Sequence, residues 1–230
     1  MTSRRQYFVT GTDTGVGKTF VTSLLLRAIA AHGHTTLGLK PVASGCDLTA
    51  DGLRNEDALA LMAASTVKLP YAQVNPFAFA APLAPHIAAA QEGKRLRVQQ
   101  VAGLVRGALT QARANVALVE GAGGWRVPLN DTETLADVAR DLELPVILVV
   151  GVRLGCINHA LLTAEAIMRD GLRVAGWVAN TIDPAVAVRD EQVATLRGRL
   201  AAPLLGVIDH GATADTAVLD VTPLLSAPAA

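Results

Sequence analysis

Short unbroken apolar runs recur along the chain, and polar, glycine-marked segments separate them. The runs at 7–10, 36–39, 116–119, 146–150, 174–178 and 204–208 do not alternate polar with apolar residues. A strand apolar on successive residues is covered on both faces, as in a mostly parallel sheet. Between these runs lie helical patterns. Over 18–31 the residues Val21, Leu24, Leu25 and Ile29 share one stripe, and His32-Gly33 ends it. The stretches 98–113, 135–142, 158–169 and 189–200 read as further helices. Strands alternating with helices predict an α/β fold: a doubly wound, mostly parallel sheet with helices on both faces. The segment 45–93 offers no clear central strand. Asn75-Pro76-Phe77, Pro82 and Pro85-His86 punctuate it, so it reads as a loop region, and long loops in compact domains often carry function. One domain is expected over 1–225, with a disordered Ala/Pro-rich tail at 226–230.

The richest chemistry sits in Gly11-Thr12-Asp13-Thr14-Gly15-Val16-Gly17-Lys18-Thr19, between the first strand and the first helix. That context suits a phosphate loop, whose backbone N–H groups and helix N-terminus face phosphate oxygens. Lys18 would neutralise the outer phosphates and the Thr19 hydroxyl would reach magnesium. Leaving the usual four residues, 13–16, before Gly17 puts the first glycine position at Thr12 rather than Gly11, so the loop carries one residue more than the usual spacing. The bland alternative is an ordinary glycine-rich turn.

Acids and a second lysine fall at strand ends, where ligands bind in open α/β sheets. Glu120 closes the run 116–119 and is followed by Gly121-Ala122-Gly123-Gly124; it reads as a metal ligand or as an exposed turn acid. Lys40-Pro41 closes the second strand and could stabilise phosphoryl charge or be a solvated surface lysine. Ser44 and Gly45 follow as donors. Asp57, in Asn55-Glu56-Asp57-Ala58, reads as a ligand or as a helix-dipole partner. The segment 151–159, with Arg153, Gly155, Cys156 and Asn158, follows a strand and opens a helix. It is either a second anion site suited to a carboxylate or a plain helix start capped by Asn158.

Composition narrows the class. Twenty basic and 20 acidic residues give a net charge of zero, so nothing electrostatic calls for a nucleic-acid or membrane partner. Two cysteines make no disulfide framework. The start lacks a signal-peptide core and no apolar run is long enough to span a bilayer, so a cytoplasmic protein is expected.

Taken together, the ordered motifs resemble the dethiobiotin synthetase family. The matching pieces include Phe8-Val9-Thr10-Gly11-Thr12-Asp13-Thr14, Val16-Gly17-Lys18-Thr19, Lys40-Pro41-Val42-Ala43-Ser44-Gly45, Leu53-Arg54-Asn55, Asp57-Ala58-Leu59, Val74-Asn75-Pro76, Pro85-His86, 119–125, 145–159 and 175–180. One phosphate loop alone is not specific, but the ordered set is. The resemblance implies a P-loop NTPase-type fold and an ATP- and magnesium-dependent ligase. It would close a ureido ring on 7,8-diaminononanoate with CO2, through a carbamate and a carbamic–phosphoric anhydride. It assigns catalysis to Lys18, Lys40 and Ser44, and magnesium to Thr19, Asp57 and Glu120. Nucleotide contacts are implied at Thr14, Gly15, Val16, Gly17, Lys18, Thr19 and Phe20, at Asp57, Glu120, Gly121, Ala122 and Gly123, and at Asn180, Thr181, Asp209, His210 and Gly211. Substrate contacts are implied at Thr14, Lys40 and Ser44. The substrate carboxylate is received by the loop matching Gly155, Cys156, Ile157 and Asn158, contributed by the other subunit of a homodimer.

The chain departs from the family pattern at Gly15, where a glutamate is common, and after Gly206, which loosens the expected choice of base. Two rivals remain. A related ATP-dependent ligase, such as the synthetase part of an amidotransferase, usually carries a glutaminase domain, for which no room is expected after Ala230; a relative using free ammonia stays open. A switch ATPase of the partition or cell-division class generally has a lysine early in the phosphate loop, and Gly11-Thr12-Asp13-Thr14 has none.

Overall fold

A computed structural model describes residues 4–226. The chain runs β1 (Arg5–Gly11), α1 (Lys18–Ala31), β2 (Thr36–Leu39), β3 (Val42–Ser44), β4 (Asp47–Thr49), β5 (Gly52–Arg54), α2 (Glu56–Ala64), α3 (Tyr71–Val74), β6 (Phe77–Phe79) and α4 (Pro85–Gln91). It continues through α5 (Val98–Ala112), β7 (Val116–Glu120), α6 (Leu135–Asp141), β8 (Val146–Val152), α7 (Cys156–Arg169), β9 (Val174–Thr181), α8 (Arg189–Arg199), β10 (Leu204–Ile208) and α9 (Thr222–Ser226). The central sheet has six strands in the order β10-β9-β8-β1-β7-β2, and every pairing in it is parallel.

The unbroken apolar runs have the cause the pattern suggested. Successive strand residues enter opposite layers: Tyr7 and Val9 join one core with Val21, Leu25 and Ile29 of α1, while Phe8 joins another with Val105 and Leu109 of α5. Leu148 and Val150 pack with Ala160 and Ala164 of α7 and with Val193 and Leu196 of α8. Burial on both faces removes any reason for polar alternation.

The segment 45–93 is not the loop region expected from its prolines. It folds into the β4–β5 hairpin, the strand β6, which pairs in parallel with β3 outside the main sheet, and helices α2 to α4. The nine-residue α2 starts at Asn55, whose side chain accepts from the Ala58 N–H, a capping pattern written in Asn55-Glu56-Asp57-Ala58. Pro85 is tolerated because it opens α4 at a position whose N–H has no helical partner. A second correction concerns α7. It begins at Cys156 with Gly155 as the cap, at φ 91°, so Asn158 lies inside the first turn and does not cap it. Of the tail expected at 226–230, Ser226 closes α9 and the rest lies outside the described residues.

Parallel strands bring all their carboxyl ends to one edge, which decides where the chemistry goes. Val9 pairs with Glu120, and Leu39 with Val119, so Lys40 emerges beside Glu120 at the mouth of the phosphate loop. β1 lies between β7 and β8, where the chain changes direction across the sheet, and crevices form at such switch points.

Candidate active site

The phosphate loop turns twice through left-handed backbone, at Gly15 (φ 73°) and Gly17 (φ 81°), before α1 begins at Lys18. Glycine is needed at Gly17 for a second reason, since a side chain there would run into Asn180, whose Nδ2 donates to the Val16 carbonyl at 2.9 Å. Lys18 is buried and its Nζ donates to the Asp13 carbonyl at 3.1 Å. Burial, and then the positive charge of Lys40, pull the Lys18 ammonium down to about 8.

Lys40 is the hub. Its Nζ donates to Glu120 Oε1 at 2.7 Å and to the Gly121 carbonyl at 3.0 Å, and it lies 3.0 Å from Asp57 Oδ2. Burial alone would lower its pKa, but Glu120 and Asp57 together outweigh that and raise it. The Thr19 hydroxyl donates to the same Glu120 Oε1 at 2.6 Å. Burial tends to raise the Asp57 carboxyl, yet Lys40 and the Thr19 hydroxyl hold it below its ordinary value. The three ligand candidates Thr19, Asp57 and Glu120 therefore meet through shared partners.

Glu120 is fully buried, and its second oxygen, Oε2, has no hydrogen-bond partner. An orphaned buried carboxylate oxygen is costly, and a divalent cation would satisfy it. Two carboxylates and a hydroxyl form an all-oxygen set that suits magnesium, which usually keeps waters and phosphate oxygens as its other ligands. No cluster of three or more His, Cys, Asp or Glu suited to a metal occurs among the described residues, so the protein offers a partial shell and not a closed cage.

A cavity of ≈ 440 Å³ is lined by Thr14, Gly15, Gly17, Lys18, Thr19, Phe20, Lys40, Ser44, Asp57, Ala122 and Gly123. A second, of ≈ 290 Å³, adjoins it through Gly15 and Phe20 and holds Asn180, Thr181, Asp209, His210 and Gly211. The phosphate-binding and base-binding candidates thus occupy neighbouring compartments. Val16 faces inward and is buried, while Gly121 contributes its carbonyl to Lys40. Gly155, Cys156, Ile157 and Asn158 line neither cavity, and the Cys156 thiol donates to Gln192 Oε1 at 2.9 Å. Both cysteines are buried and free. A larger groove of ≈ 980 Å³, bordered by Asp137, Pro145 and Arg173, lies at the opposite end of the strands, away from any phosphate loop.

Several residues take structural roles that their sequence neighbourhood does not announce. Asn55 lines the cavity that holds Lys18 and Lys40 as well as capping α2, and it drew notice only as part of Leu53-Arg54-Asn55, with no role of its own. Trp125 and Arg126 anchor the turn after Glu120: the indole Nε1 donates to Asp170 Oδ2 at 2.7 Å and Arg126 Nη1 lies 2.8 Å from the same carboxylate. Asp13 pairs with Arg153 across 140 positions, which no local pattern announces.

A family model described as an AAA domain matches residues 5–216. The chain is 56% identical over 229 residues to the ATP-dependent dethiobiotin synthetase BioD of Cellvibrio japonicus, covering 98% of this chain and 100% of that relative. It is 55% identical to the protein of that name from Pseudomonas paraeruginosa, over 95% and 97% of the two chains. Identity to the protein of that name from Marinobacter nauticus is 52%, over 97% and 99%. Among solved structures it resembles the signal recognition particle receptor FtsY of Elizabethkingia anophelis in complex with GDP, with TM-score 0.57 and 16% identity. That match covers 99% of this chain but 66% of the receptor, just under two thirds of its length, and carries the fold alone. No helix among the described residues is long and apolar enough to cross a membrane.

Proposed function

This chain belongs to the ATP-dependent dethiobiotin synthetase family, and from that premise we propose that it closes the ureido ring of dethiobiotin on 7,8-diaminononanoate, using CO2 and ATP. The observation that best supports the reading is the buried Lys40, joined to Glu120 and Asp57 and sharing one cavity with Lys18 and Ser44. A positive centre there faces both a transferring phosphoryl group and an anionic acceptor.

The chemistry runs in three steps. One amine nitrogen adds to CO2 and loses a proton, giving a carbamate. A carbamate oxygen attacks the γ-phosphorus, the bond to the β–γ bridging oxygen breaks, and ADP leaves. The second amine attacks the carbamoyl carbon, loses a proton and expels phosphate, which carries away the carbamate oxygen. The protein forms no covalent bond to substrate, so positioning and charge stabilisation do the work. Lys18 and the amides of 14–19 hold the outer phosphates, Lys40 neutralises charge between carbamate and γ-phosphate, and Ser44 orients the diamine. Thr19, Asp57 and Glu120 hold magnesium, which supplies charge neutralisation at the phosphates when bound. Phe20, Asn180, Thr181, Asp209, His210 and Gly211 enclose the base.

The working unit is a cytoplasmic homodimer of single-domain subunits, each spanning 1–225. The turn of Gly155, Cys156, Ile157 and Asn158 receives the diamine's carboxylate in the other subunit's site. This accounts for its position outside both cavities of one chain. The switch-ATPase alternative is not favoured beside synthetase relatives of 52–56% identity.

An isotope experiment tests the sequence of steps. With 18O-labelled bicarbonate in unlabelled water and short reaction times, the released phosphate is expected to carry label. Unlabelled phosphate formed alongside ring-closed product rules out attack by a carbamate oxygen.

A further inference from the structure

Asp13 makes three contacts at once. Its Oδ2 accepts from Arg153 Nη2 at 2.6 Å, its Oδ1 accepts from the Thr14 N–H at 2.7 Å, and its carbonyl accepts from Lys18 Nζ at 3.1 Å. Asp13 thus shapes the phosphate loop from within while gripping the turn that joins β8 to α7. A second strut runs alongside, where the Gly151 N–H donates to Thr12 Oγ1 at 3.3 Å. The two segments also touch directly, since a Cβ at Gly151 would lie 2.6 Å from Val16 Cγ1. Two residues beyond Arg153, Gly155 at φ 91° opens α7.

Within a single chain the pair is half-exposed, with 42% and 46% of the two side chains accessible, so solvent screens it there and its contribution to folding one subunit is small. Its geometry suggests a different use. We propose that Asp13 and Arg153 are a positioning pair that sets the phosphate loop in register with the 153–158 turn, so that one contact governs the placement of both ATP phosphates and the diamine's carboxylate. Neither residue touches a reacting atom. The second half of this assignment rests on the function proposed above. In the homodimer the turn serves the other subunit, so the pair also joins one site to the next.

A positioning contact acts on bound substrate and transition state alike, and its loss therefore shows in KM more than in kcat. For Arg153→Gln, KM for ATP and KM for the diamine are each expected to rise roughly 2- to 5-fold, the range a half-exposed ion pair can supply, with kcat within about twofold. Arg153→Lys keeps the charge and restores both. The double variant Asp13→Asn/Arg153→Gln is no worse than Arg153→Gln, because the partner is already lost. The melting temperature stays within about 2 °C of the parent, which separates positioning from a structural role. Unchanged KM values in Arg153→Gln, or additive losses in the double variant, overturn the proposal. A parent enzyme that ignores the diamine sinks the proposed function instead. In that event calorimetric affinity for the magnesium complex of β,γ-imido-ATP still judges the pair, and equal affinity in parent and Arg153→Gln rejects it.

Discussion

Lys40→Met removes the positive centre of the site while keeping its length and apolar stem. In the folded protein Lys40 is 4% exposed and Glu120 0% exposed, so the two charges share a dry environment. Removing one partner of such a pair leaves the other charge buried, at a typical cost of about 3–5 kcal/mol. Asp57 adds little to that figure, since its side chain is 45% exposed and water can take over from Lys40. Nearly all of the loss therefore belongs to Glu120, which retains only the Thr19 hydroxyl. Urea unfolding followed by circular dichroism, at neutral pH and without nucleotide, reads the loss directly. The second substitution isolates its cause: Lys40→Met/Glu120→Gln removes the stranded charge and is expected to recover at least about half of the lost stability. Turnover does not recover. Both variants are expected to fall by ~100-fold or more, the scale for losing a donor aimed at developing charge. A Lys40→Met protein within about 1 kcal/mol of the parent, or a double variant less stable than either single one, rules out a charge stranded at Glu120.

Three further outcomes follow from the same geometry. The Asp57 carboxyl is held below its ordinary value, so its contribution to stability is present above the unfolded value near ~3.9 and is lost as pH falls through the folded one; Asp57→Asn flattens this acid limb in a series of melting temperatures against pH. Asp170→Ala frees the Trp125 indole and the Arg126 guanidinium, and is expected to cost about 1.5–3 kcal/mol and to speed hydrogen exchange of the amides at 121–127; unchanged exchange there removes Asp170 as the anchor of that turn. The divergent stretch after Gly206 should leave base selection loose, so CTP and GTP are expected to compete with ATP in turnover; strict ATP selectivity counts against this reading of 209–211.

The sheet was legible because a strand buried on both faces has no polar option, and the runs containing Phe8, Leu118 and Val149 state that directly. The meeting of Lys18, Thr19 and Glu120 at one edge was legible because Lys18 and Thr19 follow one strand, Glu120 ends another, and strand ends converge in a parallel sheet. The order of strands was hidden, since nothing local tells β1 to lie between β7 and β8. Helices α2 to α4 were hidden for a different reason. Pro76, Pro82 and Pro85 look like breaks, yet Pro85 marks a helix start, and Asn55 is a cap whose meaning depends on the tertiary position of Asp57. Lys40 read as either a surface lysine or a charge stabiliser, and only its placement beside Glu120 decided for burial. Asp13–Arg153 and Trp125–Asp170 join residues far apart in sequence, so a single sequence carries no trace of either.

The most direct test of the account is phosphate release from magnesium–ATP, measured with and without 7,8-diaminononanoate and bicarbonate, together with the mass of the product. Release is expected to depend on both, with a product in which one carbonyl replaces two hydrogens of the diamine. Release indifferent to the diamine would leave the fold as described and contradict the assignment of Lys18, Lys40 and Ser44 to ring closure.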